Sequence, residues 1–261
     1  MSTLTVGIIG AGRVGRTLAA ALAAAGHRVT LDPPSPAAAD LLLLTVPDDA
    51  LARVAAGLAL RPDQVVAHTS GAHGLAVLAP AGGRPLALHP AMTFTGDPDD
   101  VSRLPGISYG VTAPDDLRPF ATRLVADLGG TVEWIAEPDR PGYHAALSHG
   151  ANHLVTLVNE AADLLREAGV REPHDLLAPL LRAALENALR LGDAALTGPV
   201  ARGDAGTIAR HLKVLAPASV PAYRALARRT ADRALAAGIL PPAAAMELLA
   251  ALAEDPAWEP V

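Results

Sequence analysis

An apolar run, Leu4-Thr5-Val6-Gly7-Ile8-Ile9, passes without a linker into Gly10-Ala11-Gly12-Arg13-Val14-Gly15 and then into an amphipathic Ala/Leu stretch, Val14–Ala25. A G-x-G-x-x-G between a strand and a helix leaves little freedom. Gly10 permits the tight turn, Gly12 lets backbone approach a pyrophosphate, and Gly15 lets the helix pack closely on the strand. Phosphates held there meet unpaired N–H groups and the positive end of the helix. Gly10, Ala11, Gly12, Arg13, Val14 and Gly15 are therefore the candidate dinucleotide-binding loop.

The following residues repeat the strand–helix alternation. β-rich runs fall at Leu4–Ile9, Arg28–Leu31, Leu41–Val46, Val65–His68, Pro85–His89, Ile107–Thr112 and Thr131–Ile135. Runs as apolar as Leu41-Leu42-Leu43-Leu44 suit parallel strands buried on both faces. Helical stretches at Asp49–Leu58 and Leu117–Leu128 separate them. The fold class expected is α/β, a doubly wound parallel sheet. After Glu137-Pro138 the pattern turns wholly helical: Tyr143–Ala168, Leu176–Leu191, Ala205–Ala216, Val220–Ala237 and Pro242–Ala253. Gly169, Gly192 and Gly238 stand where helices stop, and Pro173 and Pro241 near their starts. The expected organisation is 1–137, a dinucleotide-binding domain, and 138–261, an all-helical substrate and dimerisation domain. The second set of helices is apolar enough to call for burial in a homodimer.

Candidate chemistry clusters at strand ends. Asp32, ending the second run, can accept from a ribose 2′-hydroxyl and repels a 2′-phosphate, which favours NAD over NADP. Only residues 33–40 separate it from the next strand, too few for a full crossover helix, so the adenosine side should be open. Val46-Pro47-Asp48-Asp49 lies beside the glycine loop; Val46 and Pro47 are placed against the cofactor, and Asp49 as a helix cap. His68 and His89 close successive strands, where ligands bind in open α/β sheets. Either can move a proton near neutrality, and Ser70 can hydrogen-bond a carbonyl. Structural histidines satisfying loop carbonyls are the alternative. Ser148 and Asn152 share a helix face, with His144 one turn earlier and His149 and His153 alongside. In Leu196–Asp204, Asp204 is a plausible N-cap and Arg202 a clamp for a substrate carboxylate.

Composition removes other classes. The 261 residues contain no cysteine, so disulfides, thiolate zinc sites and cysteine nucleophiles are excluded. No metal is expected, since no third ligand stands at recognisable spacing from the histidines. The net charge of −6 is spread evenly, with no basic surplus for nucleic acid or an anionic membrane. No uncharged apolar run approaches the ~18 residues of a membrane span. A cytoplasmic protein acting on a small molecule is the expectation. Lys213 is the single lysine, so lysine-based mechanisms have almost no carrier.

Gly10–Gly15, Val46-Pro47-Asp48, His68-Thr69-Ser70-Gly71, His89-Pro90 with Phe94, Tyr143-His144 with Asn152, and Leu196–Asp204 with His211 occur here in that order. In this the chain resembles the Rossmann-like bacterial family whose helical half is domain of unknown function 2520. That family looks like a branch of the 6-phosphogluconate-dehydrogenase-like superfamily, near ketopantoate and pyrroline-5-carboxylate reductases. The resemblance implies a nicotinamide cofactor, NAD or NADP, in the first domain and a helical domain that dimerises and completes the substrate site. Hydroxyacid dehydrogenases of the superfamily place a lysine one turn before an asparagine; Ser148 stands there, before Asn152. Members of the family usually carry Ser-Arg where this chain has Asp32-Pro33-Pro34. The implied activity is NAD(P)-dependent reduction of a small carboxylate-bearing 2-oxo acid, ketopantoate-like, with His68 or His89 as proton donor. Ser148 and Asn152 would hold the reacting group, and Arg202 the carboxylate. The alternatives are an imine reductase of the pyrroline-5-carboxylate type and a non-catalytic nucleotide- or metabolite-binding protein.

Overall fold

A computed structural model describes residues 3–253. The seven expected strands form as β1 (Thr5–Ile9), β2 (Arg28–Leu31), β3 (Leu41–Leu44), β4 (Val65–His68), β5 (Arg84–Pro90), β6 (Ser108–Thr112) and β7 (Thr131–Trp134). They make one sheet in the order β2-β1-β3-β4-β5-β6-β7. Strands β1 to β5 are parallel, the wholly parallel expectation failing at β6, which pairs antiparallel with β5. β7 then follows β6 in parallel. The reason is in the connections. Between β5 and β6 the only helix is a 3₁₀ turn at Pro98–Asp100, so the chain folds back beside its own strand. Between β6 and β7 stands α3 (Arg118–Asp127), long enough for a parallel crossover.

Strand β3 shows why these runs are continuously apolar. Leu41 and Leu43 enter one core cluster with Ile8, Leu18, Leu22 and Tyr109. Leu42 and Leu44 enter the cluster on the opposite side with Leu51, Val66 and Leu78. All four are buried, each contributing roughly 1.5–3 kcal/mol of transfer free energy. Helices α1 (Arg13–Ala24) and α2 (Asp48–Ala56) follow β1 and β3. The short crossover after β2 holds one 3₁₀ turn, Pro36–Ala38. Pro33 packs over Gly7, where an added Cβ would lie 2.9 Å from its Cγ. A cavity of about 180 Å³ beside it, walled by Gly7, Thr30, Pro33 and Ala38, marks the missing helix.

The chain divides into two compact units, Met1–His153 and Leu154–Val261. The division falls beyond the 137/138 boundary set from composition. Helix α4 (Arg140–Leu147) belongs to the sheet unit, because Arg140 bonds to Gly110 and Thr112. A π turn, Ser148–Asn152, leads from it into α5 (His153–Glu167). The helical unit continues with α6 (Pro173–Leu191), α7 (Gly198–Ala201), α8 (Ala205–Val214), α9 (Val220–Ala236) and α10 (Pro242–Ala251). Gly169, Gly192 and Gly238 end α5, α6 and α9 with positive φ, as their positions require. Asp204 caps α8, accepting from the Thr207 N–H at 2.9 Å. The core of this unit gathers Ile208, Ala231, Leu240 and Leu248 from α8, α9, α10 and their connections. No helix among the described residues is long and apolar enough to cross a membrane.

Candidate functional site

The glycine loop is built as its spacing requires. Gly10 has φ 109°, and its carbonyl accepts from Thr45 Oγ1 at 2.7 Å. A Cβ at Gly15 would collide with the Gly10 carbonyl, so this close approach admits glycine alone. Arg13 and Arg16 occupy the first turn of α1, which carries no acid, and Arg16 Nε donates to the Ala11 carbonyl at 2.7 Å. Cations at a helix N-terminus oppose the macrodipole at about 0.3–1 kcal/mol each. A bound polyanion reverses that sign, so the loop is electrostatically incomplete without one. Val46 is half-buried against the core, and Pro47 is the N-cap of α2. Asp49 was expected to cap α2, but no side chain does; Asp48 and Asp49 already lie in its first turn.

Asp32 takes a left-handed conformation, φ 45°, the sole described non-glycine residue with positive φ. There its Oδ1 accepts the Gly10 N–H at 2.9 Å. The carboxylate thus braces the glycine loop with one of its oxygens.

At the ends of β4 and β5 the structure gathers the histidines into one cluster. His68 is fully buried, and its Nε2–H donates to the Gly74 carbonyl at 3.1 Å. Its Nδ1 has no partner. Burial drives His68 down to about 4, against the raising effect of the Gly74 bond, and the charge of Arg140 adds to the fall. Ser70 Oγ accepts the N–H groups of Ala72 and His73 and contacts His73 Nδ1 at 3.0 Å. His73 also faces Asp48 Oδ2 at 3.6 Å. His89 is partly open to solvent, with Nδ1 2.9 Å from the Tyr143 hydroxyl and its ring edge-on to His144. Burial, then His144 and Arg140, lower it to about 4. Gly71 makes room for this group: an added Cβ would sit 2.5 Å from His144 Cδ2 and 3.1 Å from His89 Nε2. His68 is sealed from solvent, and His89 is the one of the two that is partly open to it.

Ser148 and Asn152 lie in the π turn, where the extra residue disturbs the shared α-helical face their spacing implied. Ser148 is half-buried, Asn152 exposed, and the turn brings His149 and His153 to an Nδ1–Nδ1 distance of 3.1 Å. Arg202 is exposed at the end of α7, in the other unit. That unit has an apolar cavity of about 440 Å³, lined by Leu157, Leu164, Val200, Leu226 and the His211–Tyr223 hydrogen-bonded pair. Among the described residues no group of three or more acids and histidines is arranged to hold a metal. Sequence reasoning gave Tyr143 and His144 no role at the strand-end histidines and passed over Arg140 and His73. The available signal was a basic-aromatic group, Arg140-Pro141-Gly142-Tyr143-His144, opening a helix next to the sheet.

Residues 107–230 match the family model for domain of unknown function (DUF2520), and residues 29–90 match that of a Rossmann-like domain. No curated protein matches the chain. Among solved structures it is similar to a Bacteroides fragilis protein provisionally described as an NADP oxidoreductase, at 23% identity and TM-score 0.75, over 88% of this chain and 98% of that one. A Thermotoga maritima protein matches at 20% identity and TM-score 0.69, over 89% and 99%. The 1-pyrroline-5-carboxylate reductase of Streptococcus pyogenes matches at 16% identity and TM-score 0.64, over 89% and 98%. At these identities the likeness establishes the fold.

The two lowered histidines set an acid limit on stability. Each is neutral in the folded chain down to about pH 4 but protonates near 6.5 when unfolded. Their stabilisation is complete above about pH 6.5 and is lost as pH falls from there towards 4, by on the order of 2–3 kcal/mol for each. Urea denaturation should show that slope in wild type and a flatter one in His68→Gln and His89→Gln. An equal slope in all three would remove these histidines as its source.

Proposed function

We propose that this chain, a Rossmann-like domain joined to a domain of unknown function 2520, is an NAD(P)-dependent reductase of a small carboxylate-bearing carbonyl compound. The observation that carries the reading is a shared sheet edge. An anion-seeking glycine loop follows β1, and the His89–Tyr143 pair stands at the end of β5, two strands beyond β3. The fold, shared with a pyrroline-5-carboxylate reductase and with a protein provisionally described as an NADP oxidoreductase, supports it. Gly10–Gly15 would hold the pyrophosphate, with Val46 and Pro47 towards the nicotinamide. When bound, the cofactor supplies a hydride to the acceptor carbon. His89 delivers the proton to the acceptor oxygen, and Ser148 and Asn152 orient the acceptor. A ketopantoate-like 2-oxo acid is the favoured substrate. A cyclic imine is the second reading, but an imine protonated in solution needs no donor from the protein, whereas a carbonyl does, and His89 is built as one. With neither cofactor bound, the chain would instead be a non-catalytic metabolite-binding protein.

The cofactor is NAD rather than NADP, held weakly. Asp32 leaves a carboxylate oxygen where a 2′-phosphate would lie, and one 3₁₀ turn replaces the helix that would wall the adenosine. Calorimetric titration should show NADH binding more tightly than NADPH, with the preference narrowed or reversed in Asp32→Ser. Tighter NADPH binding by wild type overturns the Asp32 assignment, and binding of neither overturns the reductase.

His89→Ala should lower kcat by about a hundredfold with ketopantoate as acceptor, the scale of a lost general acid. His68→Ala should instead cost stability and leave the residual chemistry in place. Full turnover in His89→Ala would take that histidine out of the mechanism.

A second copy of the chain is the proposed partner of the helical unit. Helix α6 leaves Leu176, Leu180, Leu185 and Leu189 exposed, the last at 81%. Such a surface on an isolated chain favours association. Sedimentation at micromolar concentration should give a dimer, converted towards monomer by Leu180→Glu with Leu189→Glu; a stable wild-type monomer refutes it.

A further inference from the structure

The acid–base group contains a cation that the reduction as described does not use. Arg140 is fully buried, yet its hydrogen-bond acceptors are all neutral: the Ser70 carbonyl at 2.5 Å, the Thr112 hydroxyl at 3.0 Å and the Gly110 carbonyl at 3.4 Å. Its Nε has no partner. Burying a guanidinium without a carboxylate is expensive, and carbonyls satisfy its hydrogens without cancelling its charge. Ser70 follows β4 and Gly110 lies in β6, so this one side chain ties together the strands on either side of β5, which carries His89.

The same charge lies beside a phenol. Tyr143, one helical turn after Arg140, covers Gly110, where a Cβ would collide with its hydroxyl. Burial raises the Tyr143 phenol above its ordinary value and the Glu133 charge adds to the rise, while Arg140 pulls it back. The Arg140 charge favours a phenolate. The Tyr143 hydroxyl in turn meets His89 Nδ1 at 2.9 Å, and His89 Nε2, which packs over Gly71, is the ring nitrogen that Tyr143 leaves unengaged.

We infer that Tyr143 is the proton store behind His89 and that Arg140 is the fixed counter-charge for the phenolate it leaves. The inference rests on the reductase reading for its place in turnover. As hydride reaches the acceptor carbon, the His89 Nε2–H bond breaks and an O–H bond forms on the acceptor oxygen. The Tyr143 O–H bond breaks and an Nδ1–H bond forms on His89, which remains neutral throughout. The phenolate is held by Arg140 until Nδ1 returns its proton to the oxygen and water re-protonates Nε2. A neutral histidine can then act as an acid well above its own low pKa, because the negative charge comes to rest on the tyrosine. Tyr143 and Arg140 are positioning residues in this scheme; of these three side chains, His89 alone touches the acceptor.

The direction of the His89–Tyr143 hydrogen bond decides the matter without any substrate. Nitrogen-15 spectra of histidine-labelled wild type near pH 7 should show His89 as the Nε2–H tautomer, its Nδ1 accepting; assignment comes from the signal lost in His89→Gln. The Nδ1–H tautomer would mean that Tyr143 accepts and has no proton to give, which overturns the inference whether or not the chain is a reductase. Tyrosinate absorbance, taken as the difference from Tyr143→Phe, should show the Tyr143 phenol titrating higher in Arg140→Met and close to wild type in Arg140→Lys. No change in Arg140→Met removes the counter-charge role. With ketopantoate turnover in hand, Tyr143→Phe should lower kcat by at least about tenfold with KM for NADH unchanged; wild-type kcat and pH profile would overturn the relay. Loss of NADH binding in wild type would count against the reductase reading alone.

Discussion

Parallel register across four strands is the constraint from which the rest of the site follows. Ile9 pairs with Leu44, Leu44 with His68, and His68 with Ala87, so these residues form one row across β1, β3, β4 and β5. Whatever follows that row emerges at a common edge: Gly10 after β1, Thr45 after β3, Ser70 after β4, and His89 where β5 runs on. The interior leucines of β3, packed into clusters on both faces, hold the row in place. A slip of one residue would carry apolar side chains to the wrong face and His68 out of its buried position. The chemistry is therefore positioned by hydrophobic packing several residues away from it.

The edge is then fixed by short-range polar bonds of differing character. At the glycine loop they leave charge unsatisfied: Asp32 and Thr45 secure Gly10, while Arg13 and Arg16 crowd a helix start that repels them. On the histidine side the imbalance is internal: a buried guanidinium whose hydrogen-bond acceptors are all neutral oxygens, with Glu137 and Asp48 acting on it only at longer range.

How much of this was legible in the sequence varies with the range of the interaction. The seven strands were, because buried parallel strands need unbroken apolar runs and leave no alternation to confuse with a helix. The glycine loop was too, since strand, turn and helix are contiguous. Reversal of β6 and β7 was not: direction is set by how the residue 91–107 connection crosses the sheet, and nothing in its composition encodes that path. Asp32 was legible as an acid at the end of the second strand, close to the glycine loop. Its bond to Gly10 and its left-handed backbone were hidden, because both depend on Pro33 turning back over Gly7. The π turn was hidden as well, since the Ser148–Asn152 sequence reads as ordinary helix.

The two histidines illustrate the same limit more sharply. In sequence, His68 and His89 are equivalent: each ends a strand, each precedes a loop, and each is equally able to carry a proton. What separates them is which ring nitrogen is already committed. The Nε2–H of His68 is spent on the Gly74 carbonyl, and its free Nδ1 is sealed from solvent. His89 has Nδ1 on Tyr143, and its Nε2 packs over Gly71 without a hydrogen-bond partner of its own among the described residues. That difference originates in helix α4, which approaches from the far side of the sheet sequence and delivers Tyr143 and His144 to one histidine, while its Arg140 reaches past to the Ser70 carbonyl. A residue type names a chemistry that is possible; the second hydrogen bond on the ring decides which of two such residues can perform it.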